Sequence, residues 1–397
     1  MKKIVLLLLV LVCALAFAVS CGDTATTAAP DTTTEDPAIE KFESLKIADN
    51  ALDGYTIVYA ESTLKAKAEA DPALYPVWDF NKETAERLSD LIFEVSGVRL
   101  PIGCDTETAE GEKEILIGKT NRAATKEQSL ASLKGTGYVV RVLGTTVVIC
   151  GGREGATWHA IDYIEETFDK ELAAGNANYA LAADLSYSGT FNFIRIGCIG
   201  DSITQGVGAG YEAFAYSSPL ERYLWKDVMT YNFGNSGRTM RDDLADSFMK
   251  TPTFKEALSF ASSIDIFTVM LGTNDSNRDH DWKKADTAKF KFDCETLFQK
   301  LLAKNENLQF VIMNCPACFG TRDTEQKFGS ATVREIQYEL VGIMNSKGYK
   351  TSFFDMYEAT KDLGEYFDDD LHPNAYGQVI MAERLSVAID QLINGDK

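Results

Sequence analysis

The second half of the chain, from about residue 191 onward, alternates regularly between apolar runs and segments with helical spacing. Helical spacing is evident, for example, at residues 219–226, 290–303 and 332–346. Continuous apolar strands separated by helices are typical of a parallel sheet covered on both faces, so this half predicts an α/β fold. The five apolar runs lie at residues 194–199, 229–233, 264–271, 308–313 and 349–354.

Small and polar residues follow these runs, at the points where the predicted strands end. Ligands bind beyond the carboxyl ends of the strands in open parallel sheets, so these residues are expected to converge on one rim. In chain order they are Gly200-Asp201-Ser202, then Gly237 within residues 234–239, then Gly272-Thr273-Asn274-Asp275, then Cys315-Pro316-Ala317-Cys318, and finally Asp369 and His372.

The residue types on this rim match the requirements of acyl transfer, which needs a nucleophile, a base, a group that orients the base, and oxyanion donors. Ser202 is the candidate nucleophile, and its own N–H is one candidate donor. His372 is the candidate base, and Asp369 can orient it from three residues away. The N–H of Gly237 and the side-chain amide of Asn274 are the other candidate oxyanion donors.

Four of these motifs resemble, in this order, the four blocks of the GDSL/SGNH hydrolase family: Gly200-Asp201-Ser202, Gly237, Asn274 within Gly-x-Asn-Asp, and Asp369-x-x-His372-Pro373. The resemblance covers about half of the chain and implies a flavodoxin-like parallel five-stranded sheet sandwiched by helices. It also implies a Ser202-His372-Asp369 triad, an oxyanion hole of Ser202, Gly237 and Asn274, and neither a metal nor an organic cofactor. No Gly-x-Ser-x-Gly elbow surrounds Ser202, which separates the chain from the α/β-hydrolases.

Several neighbouring residues have simpler interpretations. Asp201 is expected to support the turn before Ser202, and Asp275 to have a structural role; Asp368 or Asp370 could replace Asp369 if the loop register differs. The C-x-x-C pair at the fourth strand end is expected to line a pocket rather than to act in redox chemistry. The other two histidines are His159, in a predicted helix, and His280, in a polar loop where it could line the rim.

The first half, residues 39–188, predicts a small α+β layer with its helices on one face of a sheet. It contains predicted strands at 55–60 and 114–118, helices at 83–96 and 156–168, and a hairpin around Gly144-Thr145. Its pattern resembles the small accessory domain that precedes the catalytic module of several glycoside hydrolases, and that resemblance favours a carbohydrate substrate. A Ser/Gly stretch at 186–190 predicts the boundary to a catalytic domain at 189–397.

The N-terminus reads as an export signal over residues 1–20, with two lysines before an apolar run. Ala18-Val19-Ser20-Cys21 resembles a bacterial lipoprotein cleavage site, at which Cys21 would be lipidated. Residues 21–38, rich in Thr, Asp and Pro, predict a flexible tether. We therefore expect an exported protein, anchored to the cell surface through Cys21 or otherwise secreted, with no other membrane contact.

The formal charge of −20 argues against nucleic-acid and anionic-membrane partners. The predicted triad, the export signal and the accessory domain make the leading hypothesis a serine esterase that removes short acyl groups, O-acetyl above all, from a carbohydrate or a small ester. A lipase, lysophospholipase or thioesterase is a second hypothesis, because one fold serves many acyl substrates. A third is a surface glycan-binding lipoprotein whose hydrolase domain is idle.

Overall fold

The computed structural model describes residues 40–210, 213–276 and 284–395. The predicted signal, the tether, the lipidation site at Cys21 and His280 lie outside these residues. Within them, no helix is both long enough and apolar enough to cross a membrane.

The first half of the described chain builds two sheets. Six strands form one sheet in the order β4-β3-β5-β7-β6-β9, in which the first four are parallel and β6 is antiparallel to both of its neighbours. The other three form a small sheet in the order β2-β1-β8. These strands are β1 (Ser44–Ile47), β2 (Asn50–Ala51), β3 (Thr56–Tyr59), β4 (Ile102–Cys104), β5 (Glu114–Ile117), β6 (Gly137–Leu143), β7 (Thr146–Gly151), β8 (Asn178–Leu181) and β9 (Ser186–Thr190).

The helices of this half are α1 (Lys65–Ala70), α2 (Phe80–Ser96), α3 (Gln128–Ala131) and α4 (Glu154–Ala173). The long helices α2 and α4 pack on one face of the six-stranded sheet through buried side chains such as Leu88 and Phe168. Leu130 of α3 joins a smaller apolar cluster with Leu116 and Val148. The two long helices and the hairpin of β6 and β7 were predicted from the sequence, and the structure confirms them.

The second half forms one parallel sheet of five strands in the order β11-β10-β12-β13-β14. This is the flavodoxin-like order 2-1-3-4-5, and it confirms the predicted fold class. The strands are β10 (Ile194–Gly200), β11 (Val228–Gly234), β12 (Ile266–Met270), β13 (Gln309–Met313) and β14 (Lys350–Phe354). The helices are α5 (Ser202–Gln205), α6 (Ser217–Tyr223), α7 (Pro252–Phe260), α8 (Lys284–Leu302), α9 (Gly320–Ser346) and α10 (Ala375–Asn394).

Helices cover this sheet on both faces, as the continuous apolar strands require. One buried cluster joins the sheet to α7, α8 and α9, for example through Phe254, Phe298 and Leu340. A second cluster joins the opposite face to α6 and α10, for example through Leu220 and Leu385. All five predicted strands are present, and each differs from its prediction by no more than a few residues at either end.

The order Ser218-Pro219-Leu220-Glu221 predicts a capping box at the start of α6, and this prediction is wrong. The helix begins at Ser217, its N-cap is Tyr216, and no side chain caps it. Glu221 instead accepts a hydrogen bond from the backbone N–H of Thr230 at 2.7 Å. Its carboxylate therefore satisfies a group of the edge strand β11 rather than an orphan group of its own helix.

The boundary predicted near residue 188 lies inside β9, which pairs with β6 in the six-stranded sheet. The next strand, β10, begins the five-stranded sheet at Ile194. Both sheets belong to one compact unit that spans Ile39–Lys397. The division into an accessory and a catalytic domain stays a prediction.

Candidate active site

Ser202 lies at the turn between β10 and α5, at the carboxyl edge of the parallel sheet. The side chain of Asp201 caps α5 by accepting a hydrogen bond from the N–H of Ile203 at 3.0 Å. Gly200 permits the tight turn, because a Cβ there would collide with the Thr204 side chain and the Met270 carbonyl. The turn therefore presents Ser202 at the end of the strand, where 7% of its surface remains exposed.

His372 contacts Ser202 directly. Its Nε2 lies 2.9 Å from Oγ of Ser202, and its Nδ1 lies 2.6 Å from Oδ2 of Asp369. The other oxygen of Asp369 accepts the backbone N–H groups of Leu371 at 3.0 Å and His372 at 2.6 Å. The structure thus brings the three predicted residues into one continuous chain of hydrogen bonds.

The loop that carries His372 has an unusual backbone. Asp370 adopts a φ of 65°, a left-handed conformation that non-glycine residues rarely adopt. Its carbonyl accepts the N–H of Phe319 at 2.9 Å, which ties the loop to the segment after β13. Immediately after the loop, Asn374 caps α10 by accepting the N–H of Gly377 at 3.2 Å. These contacts hold His372 between two anchored points.

The electrostatics of Asp369 favour its ionised form. Partial burial alone would raise the pKa of this carboxyl group, but hydrogen bonds from the side chain and backbone of His372 and from the backbone of Leu371 outweigh it. The net effect lowers the pKa of Asp369 below its usual value. A carboxylate beside Nδ1 keeps the proton on that nitrogen, and this leaves Nε2 free to accept a proton from Ser202.

Two of the three candidate oxyanion donors, Gly237 and Asn274, lie on the loops after β11 and β12. Gly237 has a φ of +75°, and a Cβ built there would meet no atom within 4 Å. Among the described residues, the backbone N–H groups of Ser202 and Gly237 have no hydrogen-bond acceptor. Nδ2 of Asn274 lies 3.0 Å from the carbonyl of Arg238 and 3.3 Å from Oδ2 of Asp201. Asn274 therefore links three of the four motifs.

Two buried aspartates support these loops. The carboxylate of Asp275 accepts the backbone N–H groups of Met240 at 2.8 Å and Arg241 at 3.0 Å, just after Gly237. Burial raises the pKa of Asp275 and that of Asp201 to about 6 each. Asp275 orients the loop that bears Gly237, and Asp201 supports the turn that bears Ser202.

Gln378 is a part of the site that the motifs did not reveal. It is fully buried in α10; its Oε1 accepts the N–H of Tyr216 at 2.8 Å, and its Nε2 donates to the carbonyl of Ile203 at 2.9 Å. It therefore joins α10, which follows the His372 loop, to α5, which begins with Ser202. Its only signal in the sequence is a polar residue among the apolar positions of a helix.

His159 and Cys315, which were also named as candidates from the sequence, form their hydrogen bonds with residues other than Ser202, His372 and Asp369. His159 is buried beside Asp162, with its Nε2 2.9 Å from the carbonyl of Lys226. Cys315 is buried with its Sγ 3.9 Å from Oε1 of Gln337, and all six cysteines in the described part of the chain are free thiols. In the same part, no group of three or more His, Cys, Asp or Glu side chains is placed to hold a metal ion.

A doubly wound α/β sheet with serine, histidine and aspartate in contact at its carboxyl edge defines a class of serine hydrolases. Residues 198–380 match the model of the GDSL-like Lipase/Acylhydrolase family. The second half of the chain therefore contains a GDSL-like lipase/acylhydrolase domain.

The individual proteins that resemble this chain are less than 30% identical to it. An acetylxylan esterase of Xylanibacter ruminicola is 29% identical over 216 residues, which cover 49% of this chain and 43% of that protein. The chain thus spans less than half the length of this relative. A family two carbohydrate esterase from Clostridium thermocellum, solved with cellohexaose, is 19% identical with a TM-score of 0.40 over 53% of this chain and 69% of that one. The native M. smegmatis aryl esterase is also 19% identical, with a TM-score of 0.40; the match covers 50% of this chain and 99% of that one.

Proposed function

We propose that the protein is a serine esterase that hydrolyses short-chain acyl esters, O-acetyl groups above all, on carbohydrate. The observation that carries the proposal is the hydrogen-bonded chain from Asp369 through His372 to Ser202, with distances of 2.6 and 2.9 Å. This chain can move the serine proton during attack on an ester, which is the first requirement of acyl transfer.

In the proposed reaction, Oγ of Ser202 attacks the ester carbonyl carbon while Nε2 of His372 takes the hydroxyl proton. The N–H groups of Ser202 and Gly237, with the amide of Asn274, stabilise the oxyanion of the tetrahedral intermediate. His372 then protonates the departing sugar oxygen, which leaves an acyl group on Ser202. Water attacks this acyl-enzyme with His372 as base, and the carboxylic acid leaves as Ser202 regains its proton.

The choice of a carbohydrate ester rests on two further observations. An acetylxylan esterase is 29% identical to this chain over 216 residues. The net charge of −20 disfavours an anionic lipid surface as the site of action, because like charges repel. Both favour a neutral acetylated glycan over a phospholipid.

The N-terminal sequence suggests where the enzyme acts. We infer export through residues 1–20 and anchoring through a lipid on Cys21, on the strength of the lysines, the apolar run and the small residues before Cys21. Metabolic labelling with a fatty acid tests this inference. Label should appear in the wild-type protein and be absent from Cys21→Ser, and equal labelling of both would contradict it.

The substrate class is tested by acetate release from acetylated xylan and acetylated pectin, beside p-nitrophenyl esters of graded chain length. We expect release of acetate from at least one glycan and a preference for esters of two to four carbons, on the order of tenfold or more over eight carbons. A preference for the longer chains would indicate a lipase or thioesterase instead. Glycan binding without any hydrolysis would indicate a binding protein.

A further inference from the structure

A groove runs between the first half of the chain and the five-stranded sheet. One wall comes from the first half of the chain, at Phe80 and at residues 153–155, where α4 begins. The other comes from α6 and the edge strand β11. The groove encloses about 500 Å³ and does not include Ser202, Gly237, Asn274 or His372 in its lining.

A second cavity of about 260 Å³ adjoins the groove and shares Arg153 and Glu154 with it. It lies at the carboxyl ends of β3, β5 and β7, the parallel strands of the six-stranded sheet. The carboxyl edge of parallel strands is where α/β sheets bind their ligands, and each volume is close to or within the range of small-molecule sites. The two cavities therefore meet at Arg153 and Glu154.

The walls of the groove are held in place by specific contacts. Arg153 forms an ion pair with Glu221 across the seam, and Glu221 also accepts the backbone N–H of Thr230. Gly155 lets the start of α4 approach the segment after α6 closely, because a Cβ there would collide with the carbonyl of Trp225 and the ring of Phe193. The groove is therefore a fixed feature of the fold.

The lining of the groove offers both hydrogen-bond donors and hydrogen-bond acceptors to a ligand. Arg222 stacks 5.1 Å from the ring of Tyr75 and donates to the carbonyl of Leu74 at 3.2 Å, and it forms no ion pair with any described residue. At least three of its five N–H groups remain available. Glu154 is exposed and, within the described residues, accepts no hydrogen bond and pairs with no cation. Ser218 adds a hydroxyl that can donate or accept.

These features indicate the chemistry of the ligand. Two arginines and two glutamates line the groove, so its formal charge is zero, and the exposed carboxylate of Glu154 opposes an anion. Sugar hydroxyls both donate and accept hydrogen bonds, and an uncharged sugar is not repelled by the carboxylate of Glu154. A neutral oligosaccharide satisfies all of these groups.

We propose that this groove is a second carbohydrate-binding site, which holds an unesterified stretch of neutral oligosaccharide. The proposal rests on the proposed function, because it makes the groove a holding site for the same polysaccharide whose ester is cleaved at Ser202. A polysaccharide bound in the groove raises the effective concentration of its own esters at Ser202. The site therefore lowers KM for polymeric substrates and leaves the hydrolysis of small esters unchanged.

The test measures binding of xylohexaose, cellohexaose and mannohexaose by calorimetry to the full-length protein carrying Ser202→Ala. None of these probes has an ester, so the result does not depend on catalysis. Two variants are added to this background. Arg222→Met removes the donors but keeps an aliphatic chain over Tyr75, and Ser218→Trp fills the groove. Arg99→Met is the matched control, because Arg99 also stacks on a ring, that of Phe93 at 4.6 Å, outside the groove.

We expect at least one probe to bind and each groove variant to weaken its Kd by about tenfold, with Arg99→Met within twofold of the parent. Absence of binding by all three neutral probes overturns the proposal, as does binding that both groove variants leave unchanged. Failure of the proposed function is read separately, from acetate release by the wild-type enzyme. A folded state equal to the parent by circular dichroism is required of each variant, and Ser218→Trp carries the test if Arg222→Met unfolds.

Discussion

Asp369 contacts His372 through both of its carboxylate oxygens. One oxygen accepts the backbone N–H of His372 and the other lies beside Nδ1, each at 2.6 Å. A separation of three residues makes this double contact possible, because the intervening Asp370 turns the chain with a φ of 65°. The carboxylate that orients the imidazole therefore comes from the same short loop as His372 itself.

The first prediction concerns the charge of Asp369. Asp369→Asn keeps the side-chain volume but removes the carboxylate that stabilises the imidazolium and fixes its tautomer. We expect kcat for p-nitrophenyl acetate to fall by about 10³- to 10⁴-fold. Asp368→Asn is the matched control and should stay within about threefold. If the two variants lost equal activity, the assignment of Asp369 would be wrong.

A second prediction separates backbone strain from oxyanion binding at Gly237. Gly237→Ala and Gly97→Ala both place a Cβ at a φ near +75° with no atom within 4 Å, so each should lose about 1–2 kcal/mol of unfolding free energy. Only Gly237→Ala should also lower kcat, on the order of tenfold or more, because it moves a candidate oxyanion donor. Steady-state kinetics beside thermal melts check this. Equal activity in both variants would remove Gly237 from the oxyanion hole.

The third prediction addresses Asn274. Asn274→Ala removes an amide donor and should lower kcat by about 10²- to 10³-fold with little change in KM, because an oxyanion contact acts in the transition state. Asn314→Ala is the control, since Asn314 is a buried amide at the end of the next strand, bonded to Asp355 at 2.7 Å. A rise in KM at constant kcat for Asn274→Ala would indicate ground-state binding instead.

A fourth prediction concerns pH and stability. Burial alone would lower the pKa of His159, but its hydrogen bonds with Asp162 and Asp227 raise that pKa to about 9 from the usual 6.5. Because the folded state holds the proton more tightly, the resulting stabilisation is complete below about pH 6.5 and is lost as pH rises through about 9. Its size is on the order of 3 kcal/mol.

The difference in Tm between the wild type and His159→Gln measures this contribution. We expect the difference in Tm to be largest near pH 6 and to shrink toward pH 10. The part of the difference that comes from the stacking of His159 on Phe191 should not change with pH. Leu88→Ala, a core substitution without a titrating group, is the control and should show no such trend. A Tm difference for His159→Gln that is independent of pH would contradict a charged His159.

Sequence patterns were sufficient where a signal is local. The five strands of the second sheet are continuous apolar runs, and the candidate site residues follow them directly, so their order along the chain predicted their position at one edge. Helix α9 begins at Gly320, whereas the sequence predicts a helix only from about residue 332. The prediction begins late because apolar residues at helical spacing, such as Val333 and Leu340, occur only in the later part of the helix. Its first turns carry mostly polar residues that show no apolar stripe.

Local sequence patterns do not predict contacts between distant parts of the chain. The parallel pairing of β1 with β8 joins two short strands far apart in the sequence, and neither pattern specifies the partner or the register. Glu221 fits a capping box by spacing, yet the N–H of Thr230 and the guanidinium of Arg153 compete for its carboxylate. Gln378 was missed for the same reason, since its partners lie in α5 and just before α6.

The central claim, that Ser202 is the nucleophile of an esterase, is tested most directly by the hydrolysis of p-nitrophenyl acetate by the wild type and by Ser202→Ala. Oγ of Ser202 lies 2.9 Å from Nε2 of His372, and its removal leaves no group to form the acyl-enzyme. We predict a fall in kcat of at least about 10³-fold with the fold intact by circular dichroism. Hydrolysis by Ser202→Ala at a rate near that of the wild type would contradict the claim.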